Sequence, residues 1–344
     1  MTTLAIEYFL TTGQQNRYGG IYNANLESFL AVGPYGSNSV SVQKGCCAVS
    51  RSGEYIAIAG SSVVSENPEV RVVRVSDGET VREFNTVAGW VGALAFSADD
   101  SKLFMLRRNS TLFCMNLSSG VSNQVAAPRT NITGMALSQF TSGQNVLALY
   151  QLGKSVLLDA DTFDDLGLEA AVNFANSDAA LSLSPGGRFL CTIPAAGMDP
   201  IALVYSLPEK TLIADLSSLT SVFLDSTFSR DDRYLLIAAE SAGLLVVNTA
   251  TWDVEVVVAP GVYVSSVCMS PDFSKAYAWT GVGSEQQLAA IDMATWAISY
   301  QPWSSPGSTA IVSMLRSSHG THRRMSPTDE PFWESLVGAY EIVV

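Results

Sequence analysis

The chain has 344 residues, of which 47% are hydrophobic and only 15% charged, and it carries a formal net charge of −13. Five lysines and fourteen arginines make a surface too poor in clustered cations for nucleic acid or anionic membrane as a partner. No run approaches eighteen uninterrupted apolar residues, which argues against a helical membrane span.

The chain opens Met1-Thr-Thr-Leu-Ala-Ile-Glu-Tyr-Phe-Leu, with no basic segment and with Glu7 interrupting a short apolar run. It reads as a strand and not as a signal peptide. Strands are expected at 4–11, 17–24 and 29–33. From there on, a strand repeatedly ends in serine and enters a bend rich in Pro, Asp or Gly: at Ser50, Ser97, Ser138, Ser184, Ser229, Ser270 and, in worn form, Ser313. Successive serines stand 47, 41, 46, 45, 41 and 43 residues apart, a spacing of blade length. A second marker is the exit of a later strand into a polar turn, at Asn23, Arg74, Asn116, Asp159, Ser206, Asn248 and Asp292. Both markers appear seven times.

The clearest copy is 222–260, with strands at 222–228, 233–239, 243–248 and 254–259 joined by three short turns. That is an antiparallel meander, the unit of a propeller blade. The second marker starts before the first and the first ends after the second, so one blade is assembled from both ends. Segment 310–314 would be its innermost strand, beside the three N-terminal ones. The expected fold is all-β: a seven-bladed β-propeller of four-stranded antiparallel blades over 1–314, the ring closed by pairing N- and C-terminal strands.

Ser270-Pro-Asp-Phe-Ser-Lys-Ala-Tyr, followed by Ala290-Ile-Asp-Met-Ala-Thr-Trp, resembles the YVTN-type repeat of lactonase-like seven-bladed propellers. The resemblance extends over nearly the whole chain and lies in strand and turn chemistry, so it implies the fold. The Gly-His and Trp-Asp dipeptides of tryptophan-aspartate repeats do not occur at blade positions, and Trp252-Asp253 falls in a turn.

Residues 315–344 follow the last innermost strand when every blade is already provided for. They either replace a strand of the closing blade or form an arm that docks on a partner through Ala339, Tyr340, Glu341, Ile342, Val343 and Val344, with Trp333 before them. Trp252, Trp296 and Phe163 occupy equivalent turn positions, either packed between blades or forming a shared contact belt.

Catalytic chemistry finds little footing. Both histidines, His319 and His322, lie in the tail, and Gly320 between them spoils a helical pair for a metal site with Asp329, Glu330 or Glu334. A Ser-His-Asp arrangement inside the ring is excluded. The carboxylate pairs Asp99-Asp100, Asp164-Asp165 and Asp231-Asp232 belong to turns, as do the weak calcium candidates Asp159, Asp161 and Asp272. The innermost strands carry no charge apart from Lys44, Asp178 and Asp225. Cys114, Cys191 and Cys268 read as small core residues, and Cys46-Cys47 as a strand pair facing opposite sides, with a vicinal disulfide the other reading.

These observations point to a non-catalytic interaction or structural module without cofactors. Compositionally it resembles structural proteins of bacteriophage particles. Its expected partners are other protein subunits, copies of itself or virion proteins, and its expected place is the virion or otherwise the cytoplasm. The alternatives are a glycan- or small-ligand-binding propeller and a lactonase-like enzyme with a site in the central channel.

Overall fold

The computed structural model describes residues 3–12, 14–23, 29–32, 37–38, 47–50, 52–59, 70–84, 91–107, 111–125, 132–140, 142–151, 154–171, 179–194, 201–220, 222–270, 273–281, 287–302, 311–314 and 321–323. Its regular structure among these is all strand, and no described helix is long and apolar enough to cross a membrane.

The chain begins with β1 (Thr3–Thr12), β2 (Gln14–Asn23), β3 (Phe29–Val32) and the short β4 (Ser37–Asn38), with β1, β3 and β4 all paired to β2. Four-stranded antiparallel meanders follow. The first is β5 (Cys47–Val49), β6 (Tyr55–Ala59), β7 (Val70–Arg74) and β8 (Thr80–Phe84). The next is β9 (Val91–Phe96), β10 (Lys102–Arg107), β11 (Leu112–Asn116) and β12 (Ser122–Gln124). Then come β13 (Ile132–Gln139), β14 (Asn145–Gln151), β15 (Lys154–Asp159) and β16 (Asp165–Ala171). A further meander holds β17 (Ala179–Leu183), β18 (Phe189–Pro194), β19 (Leu203–Ser206) and β20 (Thr211–Asp215). The last two are β21 (Asp225–Phe228), β22 (Tyr234–Ala238), β23 (Leu244–Asn248), β24 (Val254–Val258), and β25 (Val264–Met269), β26 (Lys275–Thr280), β27 (Gln287–Asp292), β28 (Ile298–Pro302). Finally β29 (Ile311–Met314) pairs with β1, and β30 (Thr321–Arg323) pairs with β13.

The architecture is therefore propeller-like: repeated antiparallel sheets packed face to face. First strands of consecutive sheets lie side by side, β5 on β9, β9 on β13, β13 on β17, β17 on β21, β21 on β25 and β25 on β29, with β1 on β5. Because strand side chains alternate, a described meander between two others buries one set against the preceding sheet and the other against the following one. Phe189 and Phe228, from neighbouring sheets, stack at 6.1 Å in one such layer. Leu236, Val246, Val267 and Ala278 fill the next. Each fully buried large apolar side chain contributes about 1.5–3 kcal/mol of transfer free energy.

The serine marker has a direct physical cause. Ser50, Ser97, Ser184, Ser229 and Ser270 are buried, and each hydroxyl oxygen accepts the N–H of the residue five positions on, Tyr55, Lys102, Phe189, Tyr234 and Lys275, at 2.9 to 3.0 Å. The third residue after each serine has a left-handed backbone and returns its own N–H to the serine carbonyl. Gly53 and Gly187 adopt this without cost, while Asp100, Asp232 and Phe273 adopt it with side chains. The copy at Ser138 departs from this pattern. Two extra residues let β13 run on to Gln139, and the turn closes through Gly143 N–H on the Phe140 carbonyl.

In the clearest repeat, regular pairing starts at Asp225 and not at residue 222. Leu224 still donates its N–H to the Ala238 carbonyl at 2.9 Å.

Candidate functional site: first-strand edges and inter-sheet turns

The polar groups of the first strands bond to one another across sheets. Ser182 Oγ on β17 lies 2.7 Å from Ser226 Oγ on β21. Asp225 Oδ1 accepts the Ser226 N–H at 2.9 Å, while Oδ2 accepts Ser266 O–H and Val267 N–H from the next sheet, both at 3.0 Å. Of the three charged positions expected on these strands, Asp225 is thus buried as a staple between β21 and β25. Lys44 and Asp178 lie outside the described residues. On β18, burial pushes the Cys191 thiol up to about 12, against the pull of the Ser226 and Ser182 hydroxyls, and on β25 burial likewise pushes Cys268 to about 12. Neither forms a thiolate near neutral pH, in line with their reading as core residues. Both are free, as is the half-buried Cys114.

The edge of β13 that faces away from β14 is occupied. β30 pairs along it antiparallel, Thr321 opposite Ala136, His322 opposite Met135 and Arg323 opposite Gly134. The same three residues lie against β9, β17 and β21, the first strands of other sheets. His322 therefore sits among the first-strand edges. Its expected companions in a metal site, His319, Asp329, Glu330 and Glu334, lie outside the described residues, as do Trp333 and positions 339–344. Among the described residues no group of three or more His, Cys, Asp or Glu is placed to hold a metal ion.

The carboxylate pairs serve turns, as the residue types imply, except that Asp165 opens strand β16, and some do more. Asp99 Oδ1 accepts from Ser97 Oγ and Asp231 Oδ1 from Ser229 Oγ within their own turns. Their neighbours reach the preceding sheet: Asp100 Oδ2 accepts the Ser52 N–H at 2.8 Å, and Asp232 accepts Gly186 N–H at 2.9 Å and Ser184 O–H at 3.0 Å. A Cβ on Gly186 would fall 2.1 Å from Asp232 Oδ2, so the glycine is needed for this approach.

The turns between third and fourth strands begin with Asn116, Asp159, Asn248 or Asp292. The side-chain oxygen of each accepts backbone N–H groups two or three residues on. The fourth residue after the marker has positive φ: Gly78, Gly120, Phe163, Lys210, Trp252 and Trp296. Glycine is the natural occupant, and the aromatic residues repay the strain by packing on the preceding sheet. Trp252 meets Phe189 edge-on at 5.1 Å, Trp296 meets Tyr234 at 5.0 Å, and Phe163 meets Phe104 at 6.2 Å. At Gly120 another side chain bridges instead. Arg82 donates from Nε to the Leu117 carbonyl and from its guanidinium to the Ser118 carbonyl, both at 2.6 Å, beside Gly120.

These turn carboxylates set an acid limit. Hydrogen bonds from the Thr295 hydroxyl and N–H and from the Ala294 N–H hold Asp292 below the ordinary carboxyl value. The Thr162 N–H does the same for Asp159, against a smaller effect of burial, with Asp161 N–H and Gln144 adding to it. A depressed folded value contributes stability that is present above the unfolded pKa, about 4, and is lost as pH falls through the folded one. Asp232 acts oppositely: burial raises it, so its contribution is full below the unfolded value and is lost as pH rises through the folded one. Replacing both Asp159 and Asp292 by Asn retains the acceptor oxygen, as at Asn116 and Asn248. The pair should lower neutral-pH stability by the part of those bonds that depends on the charge, and for the same reason flatten its decline below about pH 4, read by urea unfolding across pH.

Compared with known protein families and with curated proteins, the chain matches none.

Proposed function

We propose that the sheets are the blades of a seven-bladed β-propeller with YVTN-like repeats, closed where β29 pairs with β1, and that the ring is a non-catalytic interaction or structural module. The side-by-side succession of first strands supports the ring, together with the sheet built from both ends of the chain.

The observation that carries the functional reading lies at the opposite edge of the sheets. β20, β24 and β28 end three consecutive sheets, and among the described residues no strand pairs with their outer edges. Leu212 and Ile213 on β20, Val257 on β24 and Tyr300 on β28 are exposed there, Leu212 by 50%. Open strand edges bearing apolar side chains invite other chains. A protein of this charge, with its first-strand carboxylate and hydroxyls spent on inter-sheet bonds, fits a subunit of a larger assembly such as a bacteriophage particle, as a decoration, neck or tail component. The partners are copies of itself or other particle proteins, with the C-terminal residues 339–344 and Trp333 as further contacts.

Light scattering over a range of concentrations tests this. The intact chain should form a stable oligomer, and Leu212→Lys combined with Ile213→Lys should reduce it to a monomer with unchanged circular dichroism. A wild-type monomer at every concentration would count against a self-assembling subunit and turn attention to ligands at the channel mouth.

A further inference from the structure

We propose that the edge of β13 turned away from β14 is a strand-docking site inside the ring, and that Thr321–Arg323 is its tethered occupant, a plug carried by the chain itself that an extended peptide can replace. The inference rests on the ring proposed above and not on its assembly with other subunits.

Among the described residues β13 is the longest of the first strands, at 8 residues, against 3 to 6 for the others. It therefore presents the longest row of backbone donors and acceptors to the interior, and an unpaired row of that kind accepts an extended strand. The register gives the direction of entry. Thr321 stands opposite Ala136 and Arg323 opposite Gly134, so the tail enters from the end where β13 turns into β14 and runs back along it. Residues 315–320 join it in the chain to β29, which belongs to a different sheet. The inserted residues also lie against β9, β17 and β21, which places the segment within the space the first strands surround and not on an outer rim.

Three paired residues are few, and so short a pairing belongs to the low-stability end of a fold, where local opening precedes global unfolding. What holds it is the tether. A short covalent link keeps a segment at an effective concentration on the order of millimolar, enough to outcompete a free peptide at micromolar concentration. Once the segment leaves, the edge is open to any extended strand that can enter the ring.

The test uses the full chain and its His322→Pro variant, since proline removes a backbone donor from the short strand without touching β13 or β29. The probe is a synthetic peptide of residues 316–328. In the wild type, tryptic cleavage after Arg323 should be at least about 10-fold slower than in the variant, as expected for a segment that is mostly bound. The peptide should bind the variant, restore slow amide exchange at residues 134–136, and fail to bind the wild type at the same concentration. Equal cleavage of the two chains would overturn the proposal, as would a peptide that binds neither or both alike. Protection of Arg323 that disappears on dilution would overturn the tethered arrangement in favour of a tail supplied by a second copy.

Discussion

Asp225→Ala should destabilise the protein by about 3 kcal/mol or more, the largest loss expected from removing any single polar side chain among the described residues. The carboxylate accepts three hydrogen bonds, two of them from the next sheet, and is nearly inaccessible to water. The Ser266 hydroxyl can rotate to another acceptor, but the backbone N–H groups of Ser226 and Val267 cannot. A buried donor left without its acceptor costs about 1–3 kcal/mol. Asp225→Asn, which keeps one acceptor oxygen, should cost roughly half as much. Urea unfolding measures both, and a loss under about 1 kcal/mol for the alanine variant would mean that the staple carries little of the β21–β25 contact.

At Trp252 the expected order of substitutions is unusual. Trp252→Ala removes a half-buried ring from its edge-on contact with Phe189 and from the apolar layer around Phe228, at a cost of about 2–3 kcal/mol. Alanine also inherits the left-handed backbone, φ 62°, which an L side chain adopts at a cost of about 1–2 kcal/mol. Trp252→Gly loses the same ring but relieves that strain. Glycine should therefore be the better of the two by about 1 kcal/mol, reversing the usual preference for alanine over glycine in folded structure. Gly78 and Gly120 stand at the equivalent place in two other sheets, where Arg82 bridges onto the turn beside Gly120. Thermal or urea unfolding of the two variants side by side reads the order directly. An alanine variant more stable than the glycine variant would show that the backbone at this turn relaxes once the ring is gone.

The repeat could be read from the sequence because its markers are local devices. A serine hydroxyl accepting the N–H five residues on, and an Asn or Asp oxygen accepting N–H groups two or three residues on, impose fixed residue types at fixed offsets. Their recurrence shows in the one-dimensional pattern. The contacts between sheets left no such trace. Asp100 and Asp232 look like their turn-bound neighbours Asp99 and Asp231, yet their partners stand 48 and 46 residues earlier in the chain. Asp225 read as a charge facing the interior, whereas its role as a staple depends on the approach of β25, which no local pattern encodes. The aromatic residues at Phe163, Trp252 and Trp296 were visible as equivalent positions. Their packing on the preceding sheet became evident only with the rings at Phe104, Phe189 and Tyr234. Thr321-His322-Arg323, preceded by Gly320, has neither apolar alternation nor β-branched enrichment. Such a segment forms a strand because an open edge receives it and not because its own residues favour one.

In the proposed fold the ring is closed by the two ends of the chain, and a paired cysteine substitution tests this most directly. Ile6 stands opposite Met314 where β1 meets β29, and residues directly opposite on antiparallel strands have Cα atoms about 4.5–5.5 Å apart, within reach of a disulfide. The Ile6→Cys, Met314→Cys variant, oxidised at low protein concentration and mapped by peptide mass, should contain a 6–314 bridge within single chains. A variant in which those cysteines stay reduced, or bridge only between chains, would contradict the closed ring.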